Sequence, residues 1–145
     1  MKTIDLKMPI KGTNKQYYVS VTGNVYSCKT KGQKLKKLVP YRGGAGDRYL
    51  KVGLQIKNQK RKRYYVHRLV ASHFLRKDCD LLVVNHKDGN PHNNHISNLE
   101  WCTQQYNIQH GRLLKQLEKF TLLMMLKYEP SRQPIPQMDS QAVLF

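Results

Sequence analysis

The stretch VVNHKDGNPHNNHISNLEWCTQQYNIQH, residues 83–110, decides how the chain is read: it crowds six Asn and four His into 28 positions around the only Trp. Taken locally, VVNHK is a short strand, DGNPHNNHIS a polar loop with a strong turn signal, and NLEWC a second strand. Thr103 has the position and chemistry of an N-cap, and it opens the helix QQYNIQH. The segment therefore predicts strand, loop, strand and helix, a ββα unit. His86 falls on the first strand, Asn98 at the end of the loop 12 residues later, and Asn107 nine further on, one turn into the helix. Asp88 and Gly89 are expected to make the turn, while Leu99 and Trp101 fill a small core.

Immediately upstream, VHRLVASHFL at 66–75 has helical spacing, with Leu69, Val70, His73 and Phe74 able to share one face. His67 and His73 are read there as structural. YLKVGLQIK at 49–57 alternates Leu50, Val52, Leu54 and Ile56 against Lys51, Gly53, Gln55 and Lys57, the period of a half-buried strand. NQKRKR then turns back into YYV, so Lys60, Arg61, Lys62 and Arg63 are expected at the tip of a hairpin, placed to contact DNA in a groove or along the backbone. Further back, YYVSVTGNVYS at 17–27 sets β-branched and aromatic residues on both sides of a Gly-Asn turn signal, a second hairpin. Downstream, Leu113, Leu117, Phe120 and Met124 predict a helix running from residue 103 or 112 to 127 and packed on the domain or on a partner. The three prolines of YEPSRQPIPQMDSQAVLF predict an extended or disordered tail.

The 145 residues suffice for one compact domain with an arm. Charge is concentrated at the front: residues 1–77 carry 20 Lys and Arg against two Asp, whereas the whole chain nets +17. Such an excess points to a polyanion, nucleic acid first. The tyrosines among those basic residues supply aromatic packing that a disordered basic tail rarely carries. Cys28, Cys79 and Cys102 are odd in number and form no C-x-x-C pair, which argues against a disulfide framework or zinc knuckle and fits a reducing, intracellular setting. The longest apolar run, LLMML at 122–126, is far short of the roughly 20 residues of a membrane span, and MKTIDLKMPI lacks the core of a signal peptide.

VHRLVASHF, VVNHKDGNPHNNHISNLEW and the following QYN, together covering 66–111, resemble the HNH, or ββα-metal, nucleases of phages and self-splicing introns. YYVSVTGNVYS resembles, less sharply, the small β-rich module that often precedes that domain. The resemblance implies an α+β architecture: an amino-terminal, hairpin-rich basic module over 1–63, a ββα-metal nuclease domain over 64–111, and a carboxy-terminal helix with an extended tail over 112–145. It also implies a metal-dependent DNA endonuclease that nicks double-stranded DNA, acting as a monomer on DNA, with a dimer or a second binding event needed for double-strand cuts. A phage origin would place it in the cytoplasm of the host cell.

By the same resemblance, His86 is the general base, since an imidazole with pKa about 6.5 accepts a proton at neutral pH. Asn98 organises the loop and orients that base, or is purely structural. Asn85 and Asn107 match the two protein ligands of a hard divalent ion, Mg²⁺ or Mn²⁺. His110, three residues beyond Asn107 on the same helical face, is a rival ligand. His92 and His95 are read as solvated turn residues with phosphate contact as the alternative. The sequence departs from motif versions with Asp before the His, or His at the helical position; two neutral amides bring no charge, so metal binding is expected to depend on DNA. A non-catalytic DNA- or RNA-binding protein on a decayed nuclease fold is the alternative, but a mere binder has no need of His86 with its metal-side partners. A ribosomal-type RNA-binding protein leaves them equally unexplained.

Overall fold

The computed structural model describes residues 4–28, 34–44, 46–56, 59–80 and 82–127. Along the chain, strands β1 (Lys7–Pro9), β2 (Tyr17–Ser20), β3 (Val25–Ser27) and β4 (Lys36–Lys37) pair in sequence order as one antiparallel sheet. β5 (Tyr41–Arg42), β6 (Leu50–Leu54) and β7 (Lys62–Tyr65) form a second, also in sequence order. Helix α1 (Val66–Phe74) follows directly, and then β8 (Val83–His86) pairs with β9 (Leu99–Cys102) as a two-stranded ribbon. Helix α2 (Gln104–Lys127) closes the order. All neighbours in these sheets are adjacent in sequence, which is the expected outcome of short connections.

Helix α1 is the element that joins the three sheets, because it packs against β2, β6, β7, β8 and β9. Its buried face is Val66, His67, Leu69, Val70 and Ala71. With Val19, Val52, Leu54 and Leu99 the four apolar members of that face form a single core drawn from all three sheets. Burial of that shared core is what holds strands of two to five residues in place, since such strands contribute few ladder bonds of their own. The expected module boundary at residue 63 falls inside β7, and residues 1–112 make up one compact unit. His73, expected on the buried face, is half-buried and structural: its Nδ1 contacts Leu69 O at 2.7 Å and its Nε2 accepts from Lys11 N.

The first hairpin also reaches the Asn-rich loop. Gly23 sits at φ +81°, and a Cβ added there would meet the backbone and Cβ of Asn94 at 2.8–2.9 Å. Ile96 N donates to Val21 O at 2.8 Å beside it. Only glycine meets both demands at once, a left-handed backbone and a surface with nothing on it.

The four consecutive basic residues are placed differently from the expectation. Lys62 and Arg63 lie on β7, paired with Leu54 and Gly53, and only Lys60 and Arg61 precede the strand. Register decides this: β6 ends at Leu54, so pairing of β7 begins with the lysine opposite it. All four side chains are exposed. Arg61 lies across Gly53, whose missing side chain leaves room for the guanidinium.

The helix predicted from 103 or 112 begins at Gln104 and continues unbroken to Lys127, with Thr103 Oγ1 accepting from Tyr106 N at 3.2 Å as its cap. A second unit begins at Leu113. In it Leu113, Leu117, Phe120 and Met124 are exposed, 52–60 %. No helix among the described residues is long and apolar enough to cross a membrane. The predicted proline-bearing tail lies outside the described residues.

Candidate active site

The β8–β9 register sets Asn85 opposite Glu100 and His86 opposite Leu99. Between the strands, the loop is held by side-chain amides that satisfy backbone groups where no ladder can. Asn98 is its clamp: Nδ2 donates to Asp88 Oδ1 at 2.8 Å and Asn93 O at 2.9 Å, while Oδ1 accepts from Asp88 N at 3.0 Å. Asp88 in turn accepts from Asn90 N and Asn93 Nδ2. Desolvation raises the Asp88 carboxyl, but the hydrogen bonds from Asn93, Asn90 and Asn98 outweigh it and hold the group below the usual carboxylate range. Gly89, at φ +71°, makes the expected turn back to His86 O.

His86 is buried to 6 % exposure. The side chain bonded to it is Asn94, with Oδ1 at 3.2 Å from Nε2, whereas the bonds of Asn98 all stay within the loop. Asn94 Nδ2 donates to His92 O, which fixes the amide's orientation, so its oxygen must accept. Nε2 of His86 therefore carries the ring proton and Nδ1 the lone pair. Tyr49 stacks on the ring at 6.0 Å between centroids, and His67 meets it edge-on at 5.2 Å. Burial pushes the pKa of His86 down, with the Asn94 bond opposing, so the imidazole is neutral at neutral pH. Burial, then the charge of His86, lowers His67 to about 3. His67 Nδ1 is buried without a hydrogen-bond partner.

Asn85, His86, Asn107 and His110 line one cleft of about 140 Å³, together with Arg48, Tyr49, Val84, Gly89 and Pro91. The sequence-derived site residues of strand and helix thus meet, and Asn98 stands behind them as the loop's fastening. Lys60, Arg61, Lys62 and Arg63 are not among the residues that line it. Asn94, Arg48 and Tyr49 were missed, and His67, read as structural, is buried edge-on against His86. Asn94 was one amide among six, and only the fold shows which of them touches His86. Arg48 carries no local signal at all, since its approach to the cleft depends on pairing of the second sheet.

Among the described residues no group of three or more His, Cys, Asp or Glu could hold a metal ion. The donors on offer are instead amide oxygens, which suit a hard oxygen-seeking cation and leave most of its coordination sphere to water or phosphate. A divalent ion of the Mg²⁺ kind fits that set.

A hairpin carrying a buried histidine, a loop clamped by asparagine and a capped helix returning an amide to the same cleft define a ββα-metal nuclease unit. The model of the HNH endonuclease family matches residues 64–109. DNA endonuclease I-HmuI of Bacillus phage SP01 is 47 % identical over 100 residues, covering 69 % of this chain and 53 % of that protein. The SPbeta prophage-derived putative HNH homing endonuclease YosQ of Bacillus subtilis (strain 168) is 33 % identical over 95 residues, 66 % of this chain and 51 % of its own length. The solved structure described as DNA binding and cleavage by the HNH homing endonuclease I-HmuI matches with TM-score 0.64 and 40 % identity, over 84 % of this chain and 67 % of that one. The chain belongs to the HNH endonuclease family. It spans about half the length of these two curated relatives.

Proposed function

We propose that the chain is a metal-dependent HNH endonuclease that hydrolyses a phosphodiester of duplex DNA and nicks one strand per site. The observation that carries this reading is a buried, neutral His86 held by Asn94 in the cleft that Asn85 and Asn107 also line. His86 Nδ1 takes the proton from the attacking water, and the Asn94 oxygen stabilises the imidazolium that forms on the opposite nitrogen. Asn85 and Asn107 would hold Mg²⁺ or Mn²⁺ through their amide oxygens. When bound, the ion supplies charge neutralisation at the scissile phosphate and stabilisation of the leaving 3′ oxygen. Arg48 adds a fixed positive charge at the cleft for the flanking phosphate. Asn98 keeps the loop, and through it Asn94, in register.

Exposed Lys60, Arg61, Lys62 and Arg63 track the DNA backbone rather than the cut, which suits a sequence-independent grip. One site accounts for one strand, so a double-strand break requires a second copy. The homing role carried in the names of I-HmuI and YosQ fits a nickase acting near its own gene.

The test is incubation of supercoiled plasmid, bearing DNA from the gene's own neighbourhood, with Mg²⁺, with Mn²⁺ and with chelator. Metal-dependent conversion to open circles is expected. Binding of the plasmid by folded protein without any nicking would turn the reading to a binding-only protein. Because both protein ligands are uncharged, calorimetry should show only weak Mg²⁺ binding in the absence of DNA; tight stoichiometric binding would contradict the ligand set.

A further inference from the structure

Glu100 places a carboxylate against one of the two amides read above as metal ligands. It stands opposite Asn85 in the strand register, and its Oε1 accepts from Asn85 Nδ2 at 2.7 Å. His110 Nδ1, arriving from α2, lies 3.3 Å from the same nitrogen. A carboxylate only accepts and an amide nitrogen only donates, so the orientation of Asn85 is fixed: nitrogen toward Glu100 and His110, oxygen away from both. Both amide hydrogens are then committed, and the His110 nitrogen at this contact must be the accepting one. That makes His110 a poor rival ligand through Nδ1.

The consequence is chemical. An asparagine with no partner on its nitrogen can turn either its oxygen or its two N–H groups toward the cleft, and the second arrangement repels a cation. A charged acceptor on the nitrogen removes that choice and polarises the amide, which raises the negative charge on Oδ1. Family versions of the motif with Asp at this position need no such partner, because either oxygen of a carboxylate binds metal.

We propose that Glu100, assisted by His110, is a positioning residue that presents the Asn85 amide oxygen to the divalent ion and supplies from the neighbouring strand the charge that Asn85 lacks. This rests on Asn85 being a ligand. Two simpler roles compete: a cross-strand pair that only steadies the ribbon, and direct ligation of the metal by Glu100 itself.

The experiment is a Mn²⁺ titration of the ¹⁵N-labelled full chain by NMR, reading paramagnetic broadening of the Asn85 and Asn107 signals, which reports a weak site without DNA or turnover. Glu100→Ala should raise the half-broadening Mn²⁺ concentration about tenfold or more, the usual effect of losing a group that orients a ligand. Glu100→Gln, which keeps an acceptor but no charge, should fall between it and the native chain, and it serves if the alanine variant fails to fold. In an Asn85→Asp background, where orientation no longer matters, the loss from Glu100→Ala should shrink to less than about threefold. An unchanged midpoint in folded Glu100→Ala overturns the proposal in favour of the ribbon pair. Equal losses in both backgrounds overturn it in favour of direct ligation. Absence of site-specific broadening in the native chain removes Asn85 as a ligand, and the proposal falls with that reading.

Discussion

Asn94 and Asn98 are both buried amides of one loop, yet they hold different things and should fail differently when removed. Asn98→Ala deletes three hydrogen bonds and leaves Asp88 N without its acceptor, so a stability loss of about 2–3 kcal/mol is expected in urea titrations. Asn94→Ala deletes one bond to the loop and the one to His86; single-turnover nicking should slow about 10- to 100-fold, with a much smaller change in stability. The sequence marked Asn98 for both duties because its place in the motif is legible and its partners are not. Local reading finds an asparagine cluster; which amide faces His86 follows from a loop fold closed by Asp88, Asn93 and the turn at Gly89. Glu100 was unreadable for the same reason, being 15 residues from Asn85 and beside it only through the strand register.

At the scale of elements, both hairpins of the basic region, α1 and the ββα unit were legible, because apolar periodicity, turn residues and the Thr103 cap are local signals. Positions that depend on register were not: the lysines and arginines expected at a tip lie partly along β7. The contact between the first hairpin and the Asn-rich loop left only one trace in the sequence, Gly23. Gly23→Ala should cost at least about 1–2 kcal/mol from its left-handed backbone alone. It should also reduce nicking, because the displaced neighbour is Asn94, the partner of His86. A Gly23→Ala protein of native stability and activity would contradict that coupling. The stripe of Leu113, Leu117, Phe120 and Met124 lies along a helix, as its spacing predicts, and the four side chains are exposed.

For the molecule as a whole, the shared core ties stability to the protonation of its histidines. His67 and His86 have pKa values depressed in the folded state, so below about pH 6.5 the unfolded chain binds protons that the folded chain refuses. Stability should therefore be flat above that pH and fall by on the order of a few kcal/mol as pH drops toward 4, a loss measurable by urea titration at each pH. Below about pH 4, Asp5 and Asp88, both held down, add to the decline as they protonate. His67→Phe should flatten part of the slope between pH 6.5 and 4, since it removes the proton site along with its unpaired nitrogen. Nicking should follow the same direction: full rate with neutral His86 and an acidic limb centred below pH 6.5.

The claim on which the rest depends is that His86 takes the proton from water in a site otherwise intact. Single-turnover nicking by His86→Ala, measured with saturating metal on DNA that the native chain cuts, tests it directly. The expected result is a fall of about 10²- to 10⁴-fold with DNA binding unchanged. A His86→Ala protein that binds and nicks within a few-fold of the native rate would show that the base lies elsewhere.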